Sequence, residues 1–145
     1  MNPLALFLPF LLLPGPPVVS PAPATVQAAP PLEWRAQYHG DEEAGAQVVM
    51  DAWHWGHLWR RLGQSAPPLD FTRYCAVVAF AGRRPTGGFT LEFQEPVPQG
   101  DDLLLRWRVR PPAPGSFVTE AIAHPWKVWA LPRPKGGIRV ERVRE

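Results

Sequence analysis

The first 32 residues of the chain carry no charged side chain. This division of the chain into an uncharged segment and a charged remainder constrains how the remainder can fold. This segment also holds 9 of the 20 prolines, whereas every Lys, Arg, Asp and Glu lies from Glu33 onward. The remaining 113 residues (145 minus 32) suffice for one domain with one core, since single domains commonly have about 100–150 residues. The only cysteine, Cys75, cannot form an internal disulfide, which excludes a disulfide framework and a multi-cysteine metal cluster.

The N-terminal segment has the pattern of an export signal. Residues 4–13 form an apolar run of about half the roughly 20 residues that a membrane-spanning helix needs. Small-x-small cleavage motifs end at Ala24 and at Ala28, and we favour the second because proline near a scissile bond is unfavourable. We therefore predict a secretory signal over residues 1–28 and a short proline-rich linker over 29–33.

The three residues before the apolar run contain no Lys or Arg, so a mis-assigned start codon and an uncleaved anchor are the alternatives. If the signal is removed, the protein is secreted or periplasmic. If the N-terminal segment is not cleaved, it is the only part of the protein that is expected to contact the membrane. Because no cysteine follows the apolar run, a lipid-modified N-terminus is not available.

One amphipathic helix is the clearest local prediction. Its apolar stripe consists of Trp55, Leu58, Trp59 and Leu62, spaced i, i+3, i+4 and i+7. Asp51 can cap the free amides of the first turn, and Gly63 suits the left-handed position after the last turn. In an alternative interpretation, the helix begins near Asp41.

The other periodic segments predict short strands. Apolar and polar residues alternate over 32–38, 89–94 and 103–110, as in half-buried strands. The near-continuous apolar run 73–81 indicates a central strand that is covered on both faces. Further short strands are expected over residues 46–50, 117–123, 126–131 and 138–143. Turns containing Pro and Gly separate these segments, including a predicted turn over 96–101.

These elements predict an α+β fold that is mainly antiparallel β. The architecture is a single small sandwich or a partly open barrel of about seven or eight short strands with one amphipathic helix. We assign it to one domain over residues 34–145.

Two of the strands are expected to pair in a defined register. If residues 89–94 and 103–110 form an antiparallel hairpin that closes near Pro98 and Gln99, Glu92 lies opposite Arg106. Apolar residues then face apolar residues on the other side, which supports the pairing.

A basic ladder lies on one face of the later strand. It consists of Arg106, Arg108 and Arg110. Cross-strand pairing with Glu92 is the simpler interpretation, and binding of an anionic partner is the alternative. Nucleic acid is not an expected partner, because the net charge is only +2 and the ladder is short.

Several residues could carry chemistry, but none lies in a catalytic motif. His54 and His57 are spaced to share a metal, yet only two other histidines could complete the site. Ser116 lacks a nucleophile elbow, and no acid is marked to orient His124. Cys75 lies within the apolar strand, which favours a buried thiol. We therefore expect no enzyme activity, no cofactor and no resident metal.

The tryptophans are expected to pack in the core rather than to bind a ligand. This applies to Trp34, Trp55, Trp59 and Trp107. Trp126 and Trp129 fall on opposite faces of one strand. One of them is therefore expected to be exposed or to be covered by a partner.

Three segments together resemble the PrcB family of protease-complex subunits. The first is the helix with its paired tryptophans, and the second is the strand and loop over residues 74–89. In this second segment, Gly82, Pro85-Thr86-Gly87-Gly88 and Phe89 match the family's glycine–threonine–glycine–glycine–aromatic loop. The third is residues 111–133, whose matching positions are Pro112, Gly115, Pro125, Val128 and Pro132. The resemblance covers about residues 51–143.

This resemblance implies an exported, non-enzymatic subunit that associates with a protease and supports its stability or assembly. The expected partner is a protein, with a protease as the candidate; the oligomeric state is left open. The residues that we predict to bind it are Arg83, Arg84, Pro85, Thr86, Gly87, Gly88, Phe89, His124, Pro125 and Trp126. From the residues alone, Gly87 and Gly88 are equally interpreted as needed only for the geometry of a turn.

A weaker similarity gives the same segments another function. Chagasin-type inhibitors of cysteine proteases carry a proline–threonine–glycine–aromatic loop and a later arginine–proline–tryptophan loop on an immunoglobulin-like sandwich. Residues 85–89 and His124-Pro125-Trp126 are similar to these loops, although histidine replaces arginine and the spacing is shorter. The alternative function is therefore inhibition of a cysteine protease through the 85–89 and 124–126 loops.

Overall fold

A computed structural model of the protein describes residues 32–144, which contain eight strands and one helix. In chain order the elements are β1 (Leu32–Ala36), β2 (Ala44–Val49), α1 (Ala52–Arg61), β3 (Tyr74–Ala81), β4 (Thr90–Phe93), β5 (Val97–Gln99), β6 (Asp102–Arg110), β7 (Trp126–Pro132) and β8 (Ile138–Arg142). The predicted secretory signal lies outside the described residues.

The first sheet is antiparallel throughout and has the strand order β1-β7-β3-β2. β3 lies inside it, and every β3 residue except Tyr74 is buried. This confirms the prediction of a central strand covered on both faces. Its small and β-branched side chains, chiefly Ala and Val, permit close packing of a layer on each face.

The second sheet is built around β6. β4 and β5 pair in succession with one edge of β6, and β8 pairs in parallel with the other edge. The two sheets pack face to face without closing into a barrel. The predicted α+β class, with mainly antiparallel strands and one helix, is therefore confirmed as an open sandwich.

The register between β4 and β6 differs from the predicted one by two residues. Glu92 lies opposite Arg108, and Phe93 lies opposite Trp107. The hairpin closes at Gly100 and Asp101, after the short strand β5, whereas the prediction placed a turn there. The three residues 94–96 lie opposite only two residues of β6, Leu105 and Arg106. The first strand therefore has one residue more than its partner here, which is a β-bulge. A shift of two residues leaves every side chain on its predicted face.

Helix α1 begins and ends at the predicted signals. The Asp51 carboxylate accepts a hydrogen bond from the His54 backbone N–H at 2.9 Å, and this bond, with a second from the His54 ring, holds the pKa of Asp51 below its ordinary value. Gly63 has φ +72° just after the helix. The alternative start near Asp41 is wrong, because residues 44–49 form β2. No helix within residues 32–144 is long and apolar enough to cross a membrane.

A tryptophan cluster joins α1 to one face of the first sheet. Trp59 is 1% exposed, and its ring packs edge-on against Trp34, Trp55 and Trp126 at centroid distances of 5.4–5.6 Å. The sheet side chains beneath this cluster include Val78. Edge-to-face contacts of this kind add to the hydrophobic contribution of the buried area.

The opposite face of the first sheet packs on the second sheet. There the Trp129 ring lies 5.6 Å from the Phe93 ring. Trp126 is buried and Trp129 is half-buried, so neither is exposed, because α1 covers one face of β7 and the second sheet covers the other. The molecule therefore has three layers: helix, first sheet and second sheet.

The predicted strand over residues 117–123 is also wrong. These residues form no regular element, and Ala123 makes only an isolated bridge to Arg84. Strand-favouring residues such as Val118, Thr119 and Ile122 form a strand only if a sheet edge is available to pair with them. Here the segment lies against a loop instead, so it forms few ladder hydrogen bonds.

Candidate functional site

Two loops lie side by side at one end of the sandwich, and we call them the paired loops: residues 82–89 and residues 111–125. The backbones of Arg84 and Ala123 exchange two hydrogen bonds, of 2.8 and 2.9 Å. A further backbone bond of 2.9 Å runs from Gly87 N–H to the carbonyl of Thr119. The first loop therefore supports the second, which has no regular secondary structure of its own.

Gly87 and Gly88 allow the close approach of the two loops. A Cβ on Gly88 would lie 2.7 Å from Val118 Cγ1 and 3.0 Å from Pro112 Cβ, and the residue has φ +88°. A Cβ on Gly87 would lie 3.4 Å from Thr119 Cβ. Gly88 is thus required both for its positive φ and for the space that the 111–125 loop occupies, whereas a Cβ on Gly87 would make only ordinary contact with Thr119.

Arg84 holds the first loop in place. Its Nε donates to the Ala81 carbonyl at 3.0 Å, and its guanidinium carbon lies 5.2 Å from the centre of the Phe89 ring. The neighbouring Arg83 is exposed to solvent, while its backbone N–H donates to the Glu42 carbonyl. The two adjacent arginines therefore differ: one is structural and one is available at the surface.

The predicted partner-binding residues lie together but differ in accessibility. Arg83, Pro85 and Gly88 are exposed; Arg84, Thr86, Phe89 and His124 are half-buried; Gly87, Pro125 and Trp126 are buried. The structure thus brings both predicted segments to the same end of the fold. The exposed residues, and the accessible parts of the half-buried ones, can contact a partner directly.

The burial of Trp126 argues against the inhibitor function. The 85–89 and 124–126 segments are adjacent, as an inhibitor of that type requires. However, Trp126 is 1% exposed, its indole Nε1 donates to the Tyr38 carbonyl at 2.9 Å, and its ring packs on Trp59. This tryptophan is a core residue and cannot enter the cleft of a protease while the fold is intact.

The sequence interpretation did not select Phe117, the most exposed large apolar side chain of the paired loops. Phe117 is fully exposed, at 106% of its reference area, and Ile122 on the same loop is 47% exposed. Phe117 lies directly before Val118 and Thr119, which Gly88 and Gly87 contact. One sequence signal could have pointed to it: an aromatic residue within a loop rich in proline and glycine.

Each arginine of the ladder has a carboxylate partner within the second sheet, and the three arginines share two carboxylates. Glu92 pairs with Arg108 at 3.0 Å and also with Arg110, while Arg106 lies 3.4 Å from Glu141. Partial desolvation opposes ionisation of Glu92, but the hydrogen bonds and charges of the two arginines outweigh it and lower the pKa of the carboxyl. Cross-strand pairing, the simpler interpretation of the ladder, thus accounts for its charges.

The candidate catalytic groups are engaged elsewhere. Ser116 Oγ donates to the Ala113 carbonyl at 2.6 Å, and His124 Nε2 lies 2.9 Å from Glu42 Oε1, so the serine and histidine do not pair with each other. Burial raises the pKa of the Cys75 thiol to about 11, and the charge of Arg133 offsets this only in part. Among residues 32–144, no three His, Cys, Asp or Glu side chains are grouped so as to hold a metal ion.

Residues 75–132 match the family model described as PrcB C-terminal. The matched segment runs from the second residue of β3 to the end of β7 and contains both paired loops. Helix α1 lies outside it, so the match is narrower than the resemblance over residues 51–143. No curated protein and no solved structure matches the chain.

Proposed function

Because residues 75–132 carry a PrcB C-terminal domain, we propose that this protein is an exported, non-enzymatic interaction module. Its paired loops bind a protein partner. The resemblance to protease-complex subunits indicates that the partner is a protease whose stability or assembly the module supports. Export rests on the predicted signal over residues 1–28.

The exposure of Phe117 is the observation that carries this proposal. A fully exposed phenylalanine gains the hydrophobic free energy of burial, about 2 kcal/mol, only when another molecule covers it. The loop that bears it is fixed by backbone hydrogen bonds to residues 84 and 87. A side chain presented on a fixed loop loses less conformational entropy on binding than one on a mobile loop.

Two further features support recognition rather than catalysis. The exposed Arg83 gives the first loop a cationic tip, and the exposed Pro85 adds an apolar surface beside it. Ser116, His124 and Cys75, which could have served as catalytic groups, are held by hydrogen bonds or burial in other roles.

Export can be checked on the protein isolated from its own cells. Removal of the signal after Ala28 predicts that N-terminal sequencing of the envelope or extracellular protein begins at Ala29. Recovery of the chain from the cytoplasm with Met1 in place would contradict export.

Partner binding can be tested by placing a photo-crosslinking phenylalanine analogue at position 117 of the full chain in its own cells. We expect one discrete protein to be crosslinked. Mass spectrometry then identifies this protein and shows whether it is a protease. The purified partner should then bind the Phe117→Ala variant at least about 30-fold more weakly, as for a hot-spot residue of about 2 kcal/mol.

The matched control is the same analogue at Val97, an apolar residue of β5 that is 44% exposed and lies outside the paired loops. The same crosslinked band at both positions would indicate unspecific contact and would contradict the proposal. Unchanged partner affinity in Phe117→Ala, with an unchanged circular dichroism spectrum, would do so as well.

A further inference from the structure

A pocket of about 320 Å³ lies between β1, β7 and the start of β4. Its apolar wall includes Phe89, Leu91 and Trp126, and its polar wall includes Arg35, Gln37 and Lys127. The size is near the lower limit for ligand sites, and it suits one or two side chains of a peptide.

Two cations meet on one wall of this pocket, and among the described residues Glu33 is the carboxylate that pairs with one of them. Arg35 and Lys127 are direct cross-strand partners in the pairing of β1 with β7. Like charges in this arrangement are destabilising unless a counter-charge lies between them. Within the described residues, the Arg35 side chain makes no ion pair or hydrogen bond.

Lys127 is also poorly compensated. Its side chain is only 14% exposed, and its Nζ lies 3.6 Å from Glu33 Oε1 and 5.9 Å from the centre of the Phe93 ring. The distance to Glu33 is too long for a hydrogen bond. Because this ion pair is long, Lys127 would be stabilised further by an added carboxylate.

Gln37 supplies an acceptor in the same pocket. Its Nε2 donates to the Phe89 carbonyl at 2.8 Å, which fixes the orientation of the amide. Its Oε1 is buried and has no hydrogen-bond partner among the described residues. A donor on a bound molecule would satisfy this oxygen. The pocket is therefore complementary to a ligand that carries both an anionic group and a hydrogen-bond donor.

The position of the pocket favours an extended peptide as the source of both groups. β1 is the last strand of its sheet, and none of the described strands pairs with its outer edge. Arg35 lies in β1 and Gln37 follows one residue after its end, and both line the pocket. A strand added to this edge would direct its alternate residues toward the pocket.

We propose that this pocket binds an extended acidic segment of a protein partner. One Asp or Glu carboxylate pairs with Arg35 beside Lys127, and a Ser or Thr hydroxyl further along the segment donates to Gln37 Oε1. The backbone of the segment runs along the outer edge of β1. This site goes beyond the paired loops, because Phe117 is not part of it.

A pair of labelled peptides tests the proposal on the full chain. Each has ten residues, alternating Val and Thr with Lys at both ends, and carries one central residue in place of Thr: Glu in one peptide and Gln in the other. We expect the Glu peptide to bind in fluorescence anisotropy and the Gln peptide to bind at least about 10-fold more weakly, as for loss of a charge-assisted hydrogen bond.

Variants of the protein then test whether the peptide binds at this pocket. Arg35→Glu is expected to weaken the Glu peptide at least about 10-fold, because it reverses the charge that the carboxylate meets. Arg60→Glu makes the same charge change on α1, away from the pocket, and should leave binding within about twofold. Glu33→Gln should strengthen binding, since it removes the internal carboxylate beside Lys127. Phe117→Ala should leave it unchanged.

Several outcomes would overturn the proposal. These are equal binding of the two peptides, no binding at millimolar concentration, or equal effects of Arg35→Glu and Arg60→Glu. Displacement of the Glu peptide by equimolar acetate would show a site for small carboxylates instead of a peptide. Because Phe117 is not in the pocket, failure here and failure of the paired-loop function are distinguishable.

Discussion

Replacing Trp59 with alanine is expected to lower the free energy of unfolding by about 3–5 kcal/mol, the usual cost of truncating a fully buried tryptophan. Trp59 is 1% exposed and contacts the rings of Trp34, Trp55 and Trp126, which come from β1, α1 and β7. Its loss therefore loosens the helix from the sheet at several points. Domains of this size are stable by only about 5–15 kcal/mol, so equilibrium unfolding in urea should show a large shift of the midpoint.

Trp53→Ala is the matched control on the same helix. Trp53 is 67% exposed and contacts only the rings of His54 and His57 among the aromatic side chains of the described residues. We expect this variant to lose less than about 1 kcal/mol. Similar losses in the two variants would contradict the assignment of Trp59 to the core between helix and sheet.

The parts of the fold that depend on local signals could be predicted from the sequence. Helix α1 begins at a capping Asp51 and ends before Gly63, and both signals act within one turn of the residues that they cap. The uninterrupted apolar run of β3 likewise predicts, without further information, that both faces of the strand are covered.

The parts that depend on distant partners could not be predicted. The bulge over residues 94–96 shifts the register of β4 and β6, and its position is set by how the two strands pair. Residues 117–123 include Phe, Val, Thr and Ile, which strands favour, but they pair with none of the described strands. In each case the local pattern is correct, and the tertiary pairing decides the outcome.

The same reasoning applies to the candidate site. The Pro85-Thr86-Gly87-Gly88 loop could be predicted as a candidate because it matches the loop motif of the PrcB family. Its support of Val118 and Thr119 requires the two loops to meet, which sequence spacing does not reveal. Arg35 and Lys127 become neighbours only when β1 pairs with β7, so their shared pocket left no sequence signal.

Replacing Gly88 with alanine is expected to separate the paired loops. The new Cβ would lie 2.7 Å from Val118 Cγ1 and 3.0 Å from Pro112 Cβ, at a residue with φ +88°. A positive φ costs a residue with a Cβ about 1 kcal/mol or more, and overpacking adds about 1–3 kcal/mol. We therefore expect a loss of about 2–4 kcal/mol in urea unfolding. Hydrogen exchange at the Gly87 amide should also become faster, because this amide donates to the Thr119 carbonyl.

A second substitution separates the two causes of this loss. In the double variant Gly88→Ala with Val118→Ala, Val118 Cγ1 is absent, so the closest contact is removed while the positive φ remains. We expect recovery of about 1–2 kcal/mol relative to Gly88→Ala and slower exchange at Gly87, since only the overpacking is relieved. Gly100→Ala is the control: its φ is +63°, but no atom lies within 4 Å of the added Cβ, so it should show the backbone cost alone. Equal losses in Gly88→Ala and Gly100→Ala would mean that contact between the loops contributes nothing to the role of Gly88.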